Sequence, residues 1–330
     1  MRAVVVEAFG SIGSASIKEI DPPCPGPNEI LVAVEAAPVN FVDSLIIQGS
    51  YQSLPELPFV PGKGPVGTVA ALGPGTSRFA VGDRVLAMAE HGGYAEAVCA
   101  SEKNCYRLPD ALSFEAAAAI SLTYDTAWVS LVDRARMQAG ETILVLGATG
   151  GVGDATVQLG KAMGATVIAA VSSAAKRQSG IDAGADHTVD LSVPNLRDDL
   201  RAQVHAITEG RGVDIVIDPL GGDCFDAAIR TLAWRGRLVV IGFAAGRIPT
   251  LKMNYVLLKN IEVSGIQISD YRKRMPELVR ACYNDVFTHY VEGRIRPRQT
   301  TAYPLADYAK ALDDIVTRRI SSRAILRPGE

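Results

Sequence analysis

The heptapeptide GATGGVG (147–153) follows the apolar run ETILVL (141–146) and leads into a segment whose apolar residues return at helical spacing. A glycine turn at a helix start leaves backbone N–H groups facing outward, unscreened by side chains, at the positive end of the helix dipole. Such a cradle holds an anion, and a strand-turn-helix setting suits the pyrophosphate of a dinucleotide. The usual G-x-G-x-x-G reads here as Ala148-x-Gly150-x-x-Gly153, which makes Gly150, Gly151 and Val152 the candidate phosphate-binding positions. A glycine turn also serves close helix-strand packing, but the strand before it, the amphipathic helix after it and a second strand ending near Ser172 favour the cofactor reading. Gly160-Lys161-Ala162 lacks the Ser or Thr that follows the lysine of a phosphate-binding P-loop.

The end of that second strand bears on which dinucleotide. Sites for NAD place an acid about 20 residues along to accept the ribose 2′-hydroxyl. The stretch VIAAVSSAAKRQSGI (167–181) contains no acid and offers Ser172, Ser173, Lys176 and Arg177 instead. Two hydroxyls and a cation suit a 2′-phosphate. One charge-assisted bond of about 1.5–3 kcal/mol would favour NADP(H) roughly ten- to a hundredfold.

Other chemistries find less support. The five cysteines, Cys24, Cys99, Cys105, Cys224 and Cys282, are odd in number and irregular in spacing, unlike a disulfide framework or a zinc cluster, and most read as small buried apolar residues. The four histidines are isolated, and no metal site is expected. A net charge of −3 with 21% charged residues gives no basic excess for nucleic acid, and the short cluster Tyr271-Arg272-Lys273-Arg274 reads as a solvated helix start. No apolar stretch approaches the roughly 20 residues of a membrane span. MRAVVVEAFG reads as a strand rather than a leader, so the expected location is cytoplasmic.

Two kinds of element must position these residues. With 330 residues, about two domains are expected. Residues 1–122 are punctuated by DPPCPGPNE (21–29), PELPFVPGKGPVG (55–67) and LGPGTSRFAVGD (72–83), with short apolar runs between, the pattern of a β-rich barrel or sandwich. Residues 123–267 alternate strand and helix: six strand-like runs, ETILVLG, ATVIAAV, HTVD, VDIVID, RLVVIG and IEVSGI, predict a parallel, doubly wound α/β sheet. Val152, Ala155, Thr156, Leu159 and Met163 share one face of its first helix, and Gly164 ends it. The segment 268–330 is expected to return to the first domain.

The chain resembles the zinc-free quinone oxidoreductases of the medium-chain dehydrogenase/reductase superfamily over nearly its whole length. The resemblance rests on PVNFVDSLIIQGSY (38–51), FVPGKGPVGTV (59–69), VGDRV (81–85), GGYAEAV (92–98), SLTYDTAW (121–128), GATGGVG (147–153), GADHTVD (184–190), DIVIDPLGG (214–222), GRLVVIGFAAG (236–246) and LLKNIEVSGI (257–266). It implies a GroES-like barrel domain, a six-stranded Rossmann domain that binds NADP(H), and a homodimer joined through the last Rossmann strand, IEVSGI. In zinc-dependent relatives a His-Glu pair after the PG turn helps to hold a catalytic metal. Here Lys63-Gly64 stand there, and Gly64 also replaces a glutamate that many zinc-free members keep.

Without a metal, the chemistry implied is hydride transfer from nicotinamide to an acceptor already activated by conjugation, a quinone or an α,β-unsaturated carbonyl. The protein then orients the partners and offers a hydrogen bond where negative charge grows. By resemblance the candidate catalytic residues are Asn40, Asp43 and Tyr51, with Asn40 beside the nicotinamide ribose. Capping of a helix start is the competing role for Asn40 and Asp43, and lining of a wall for Tyr51. Thr126, Phe243 and Ala244 are carried over as cofactor contacts, and either Arg318 or Arg319 could approach the cofactor. The function expected is an NADPH-dependent quinone reductase. The alternatives are an enone or enoyl-thioester reductase and, in another class, an NADPH-binding redox sensor or RNA-binding protein with little turnover.

Overall fold

A computed structural model describes residues 1–330, which divide into two compact units: residues 1–122 with 297–330, and residues 123–296. The first unit opens with β1 (Arg2–Val5), β2 (Ser16–Glu19), β3 (Glu29–Pro38), α1 (Phe41–Ile47), β4 (Val66–Leu72), β5 (Arg84–Ala87), β6 (Ala97–Ser101), β7 (Cys105–Arg107) and α2 (Phe114–Ile120). The second contains α3 (Thr123–Val129), β8 (Thr142–Val145), α4 (Gly151–Ala162), β9 (Thr166–Val171), α5 (Arg177–Asp182), β10 (His187–Asp190), α6 (Leu196–Ile207) and β11 (Val213–Asp218). It continues through α7 (Gly222–Ala228), β12 (Leu232–Val240), α8 (Met253–Lys259), β13 (Glu262–Gly265), α9 (Ile268–Arg274) and α10 (Pro276–Val291). The chain then re-enters the first unit as β14 (Thr300–Pro304), α11 (Tyr308–Val316) and β15 (Arg323–Arg327).

In the first unit β3 is the spine. Ile30, Val32 and Val34 alternate into the core, the period of a strand with one buried face. It pairs antiparallel with β4 and β6, and its end, Ala37 and Pro38, takes β15 from the far end of the sequence. The sheet runs β14-β15-β3-β4-β5-β7, and α11 closes the core with Tyr308, Ala311 and Leu312.

In the second unit all strand pairs are parallel, in the order β10-β9-β8-β11-β12-β13. The central strand β8 is buried along its whole length, as a strand covered by helices on both faces must be. The chain order reverses between β8 and β11, and in such sheets ligands bind at the carboxyl ends of the strands flanking that point.

Three expectations are corrected here. The return to the first unit begins at Pro297, not at residue 268, because α9 and α10 stay packed on α3. The fastening is a buried ion pair: Arg272 Nη2 donates to Asp125 Oδ2 at 2.6 Å, and Trp128 Nε1 reaches Asp285 Oδ2 at 2.7 Å. The basic cluster 271–274 is therefore not a solvated helix start. It forms the last turn of α9, Arg272 is only 3% exposed, and the Tyr271 hydroxyl bonds Asp133 at 2.5 Å. Of the five unbridged cysteines, only Cys105 and Cys282 are buried; Cys24 is exposed. No helix is long and apolar enough to cross a membrane.

Candidate active site

The glycine turn lies where β8 hands over to α4. Gly150 is the N-cap in extended conformation, and the N–H groups of Gly151, Val152 and Gly153 open the helix, where no intrahelical acceptor exists. A Cβ at position 153 would stand 2.2 Å from the Gly147 carbonyl oxygen, so only glycine lets the helix start fold this tightly against the turn. At Gly150 an added Cβ would meet nothing but that same oxygen, at 3.3 Å, so this face of the turn is open. A pyrophosphate fits this cradle, which supplies bare amides on a helix of three turns.

At the carboxyl end of β9, Ser172 and Lys176 sit together, with Lys176 Nζ donating to Ser172 Oγ at 3.2 Å and Ser173 beside them in the chain. Arg177 leans away toward Asp190 at the end of β10, at 3.7 Å. Sequence reasoning overlooked Asp190, whose carboxyl is held below its usual range by the Ser192 hydroxyl and N–H. Of the two cations, Lys176 is the one without a carboxylate partner.

Beyond β11, Asp218 Oδ1 accepts the N–H groups of Leu220 and Gly221 at 2.8 and 2.9 Å, and burial raises its carboxyl. Phe243 and Ala244 follow β12. The Ala244 N–H is already bonded to Pro219 O at 3.1 Å, and the Phe243 carbonyl accepts Gly246 N–H, so both residues shape a turn at the sheet's carboxyl edge. Thr126 is buried in α3, its N–H on Asp125 Oδ1 at 2.7 Å, next to the Asp125–Arg272 pair.

In the first unit Asn40 and Asp43 come together at the start of α1. Asn40 is the N-cap and its N–H donates to Asp43 Oδ2 at 2.9 Å, so the capping role is real. The same oxygen accepts the Tyr94 hydroxyl at 3.0 Å, while Oδ1 is buried without a partner. Burial pushes the Asp43 carboxyl up to about 6, although the Asn40 N–H, the Tyr94 hydroxyl and the Lys63 charge pull it down. Burial and then the Asp43 charge hold the Tyr94 phenol well above its usual range. Asn40 Oδ1 accepts Arg323 Nη2 at 2.9 Å, and its Nδ2 donates to Pro38 O at 3.3 Å.

The PG turn completes the group. Lys63 stands between Gly62 and Gly64, both at positive φ, and its ammonium pairs with the Glu90 carboxylate and lies 5.7 Å from the centre of the Tyr51 ring. The missing glutamate at position 64 has a steric cause. A Cβ there would be 2.2 Å from Ser121 Oγ, which instead bonds the Gly64 carbonyl at 2.7 Å.

Tyr94, Lys63, Glu90 and Arg323 were thus missed as site residues. GGYAEAV and the PG turn were visible as motifs, but nothing in their spacing reveals that they meet α1. Near the C-terminus, Arg319 pairs with Asp313 and Asp314, and it is Arg323 that reaches Asn40.

Residues 26–110 match the family described as alcohol dehydrogenase GroES-like domain, and 151–284 the one described as zinc-binding dehydrogenase. The donor set does not fit the second description's metal: no group of three or more His, Cys, Asp or Glu side chains is placed to hold an ion. Quinone oxidoreductase-like protein 2 of Bos taurus is 35% identical over 311 residues, covering 94% of this chain and 88% of the relative. The synaptic vesicle membrane protein VAT-1 homolog of Homo sapiens is 29% identical, covering 100% of this chain and 87% of that one. Among solved structures, a mycobacterial quinone oxidoreductase superposes with a TM-score of 0.91 at 32% identity, over 99% of this chain and 100% of that one. The Escherichia coli quinone oxidoreductase complexed with NADPH gives 0.89 at 28% identity, over 99% and 100%. With a GroES-like first unit, a Rossmann second unit and relatives matched from end to end, the chain belongs to the quinone oxidoreductase family of the medium-chain dehydrogenase/reductase superfamily.

Proposed function

We propose that this oxidoreductase uses NADPH to reduce a quinone or a similar conjugated carbonyl, with no metal in the reaction. The observation that carries the reading is the pairing of two features on one sheet: the bare-amide turn at Gly150–Gly153 and the Ser172–Lys176 group one strand away. The amides would hold the pyrophosphate, and Ser172, Ser173 and Lys176 the 2′-phosphate, with Arg177 held back by Asp190. Reduced nicotinamide supplies the hydride when bound. Asn40, fixed through its carbonyl by Arg323, keeps one amide N–H to offer a ribose or an acceptor oxygen, and Tyr51 offers an aromatic wall.

Calorimetry with NADPH and NADH, then NADPH oxidation with 1,4-benzoquinone, 9,10-phenanthrenequinone, 2-alkenals and crotonyl-CoA, tests this. We expect NADPH to bind ten- to a hundredfold more tightly than NADH, as one charge-assisted bond of about 1.5–3 kcal/mol dictates. Lys176→Ala should raise the KM for NADPH several-fold and spare NADH; equal loss with both would remove Lys176 from the 2′-phosphate. Turnover confined to alkenals or crotonyl-CoA would replace the quinone reading with an enone or enoyl-thioester reductase. Tight NADPH binding with no turnover would make the protein a sensor.

We further propose a homodimer formed through β13. This strand ends the sheet with its outer edge unpaired, and the helix before it, α8, buries none of its residues.

A further inference from the structure

We infer that Lys63 is the proton donor to the acceptor: its ammonium, presented by the PG turn beside Tyr51 and charge-paired with Glu90, neutralises the oxygen on which the electron pair arrives. The inference deepens the proposed function and rests on it.

The turn that carries Lys63 is immobilised on both sides. Gly93 N–H bonds Gly62 O at 2.9 Å, Gly64 N–H bonds Ala89 O at 3.0 Å, and the Ser121 hydroxyl bonds Gly64 O. The side chain is buried in turn, with only 6% of it exposed. Removing an ammonium from water is costly unless a partner compensates, and a lysine that merely clasps the turn would have its donors satisfied there. Glu90 takes one of the three N–H donors, and the protein supplies no second acceptor. The neighbouring face is the Tyr51 ring, an apolar surface against which a flat acceptor can lie.

The charged and titratable groups facing Lys63 are Glu90 from the segment after β5, Asp43 from α1, Tyr51 after α1 and Tyr94 before β6, with Arg323 of β15 reaching the group through Asn40. In the interior the Tyr94 hydroxyl donates to Asp43 Oδ2. Glu90 is half-buried and open to solvent, and so can return a proton to Lys63.

The step balances. Hydride from NADPH adds to the conjugated system of the acceptor and places an electron pair on its carbonyl oxygen. That oxygen takes H⁺ from Lys63 Nζ as the N–H bond breaks, giving a hydroquinone from a quinone or an enol from an enone. Neutral Lys63 recovers H⁺ from water by way of Glu90. The acceptor is reduced by two electrons and NADPH is oxidised by two.

The test uses Lys63→Met, Lys63→Arg and Glu90→Gln in the full chain. Against 1,4-benzoquinone, Lys63→Met should lower kcat a hundredfold or more with KM changed less than threefold, the loss expected for a general acid. Its affinity for NADPH should stay within twofold, which also verifies folding. A second readout needs no cofactor: 4-nitrophenolate, a stable anion resembling the product oxygen, is titrated by its absorbance. Lys63→Met should weaken it at least tenfold, Lys63→Arg should retain it, and Glu90→Gln should tighten it because the cation is no longer shared. Wild-type kcat in Lys63→Met, or phenolate affinity unchanged in both Lys63→Met and Glu90→Gln, would overturn the inference; should Lys63→Met not fold, Glu90→Gln decides alone. Wild-type protein that binds phenolate through Lys63 but neither binds NADPH nor reduces any acceptor would instead overturn the proposed function.

Discussion

A buried carboxyl group with two hydrogen bonds to one oxygen and none to the other is costly to ionise, and Asp43 is in that position. In the unfolded chain it titrates near 3.9, in the folded protein near 6. Between those values the folded state binds the proton more tightly, so this residue's contribution to stability falls as pH rises from 4 to 6 and is constant above. The gap amounts to about 3 kcal/mol at most. Asp43→Asn keeps a carbonyl for the Asn40 N–H and the Tyr94 hydroxyl but cannot ionise. Urea unfolding at pH 4 and pH 6.5 should show the variant gaining on wild type by up to that amount at the higher pH. A constant difference would mean that Asp43 titrates like an exposed carboxylate. The sequence made Asn40 and Asp43 visible as a pair because their spacing is local, three residues on one helix start. Tyr94 lies 51 residues away, and no pattern within the chain reports that its hydroxyl ends on Asp43.

At the scale of elements the same contrast recurs. The strands of the second unit were legible because a strand covered on both faces is a near-continuous apolar run, as in ILV of β8, VIAAV of β9 and IVI of β11, and because Gly164 marks the end of the helix between the first two. The fate of α9 and α10 was not. Their attachment to α3 rests on Arg272 and Asp125, 147 residues apart, and a pattern reading sends charges in a basic cluster to solvent. Breaking one member of such a buried pair leaves the other charge uncompensated. Arg272→Met should therefore destabilise the second unit by about 3–5 kcal/mol, whereas pairing it with Asp125→Leu should recover most of the loss. Chemical denaturation of the two variants measures this. A double variant no better than the single would show that the helices are held by their apolar contacts, Val279, Cys282, Tyr283 and Val286, and that the pair is incidental.

At the scale of the whole molecule, one apolar surface lies beside an open sheet edge. Leu257 and Leu258 on α8 are 76% and 74% exposed, and Met253 of the same helix is exposed as well; α8 immediately precedes β13, whose outer edge is open. An unpaired strand edge beside apolar side chains is a template for another strand, and a soluble monomer normally protects it with charge, proline or a covering loop. The β13 sequence, EVSG, carries only Glu262, and that carboxylate is paired with Arg136 of its own chain at 2.5 Å. A second copy related by a two-fold axis would satisfy both needs at once, continuing the sheet and covering the leucines, since a two-fold contact brings the same patch to itself. Leu257→Glu combined with Leu258→Glu places four like charges at that contact. Sedimentation equilibrium should then give twice the chain mass for wild type and the chain mass for the variant, while the parallel sheet behind α8, whose core uses neither leucine, keeps its circular dichroism. A wild-type protein that sediments as a single chain would show that this edge is protected by some means other than self-association.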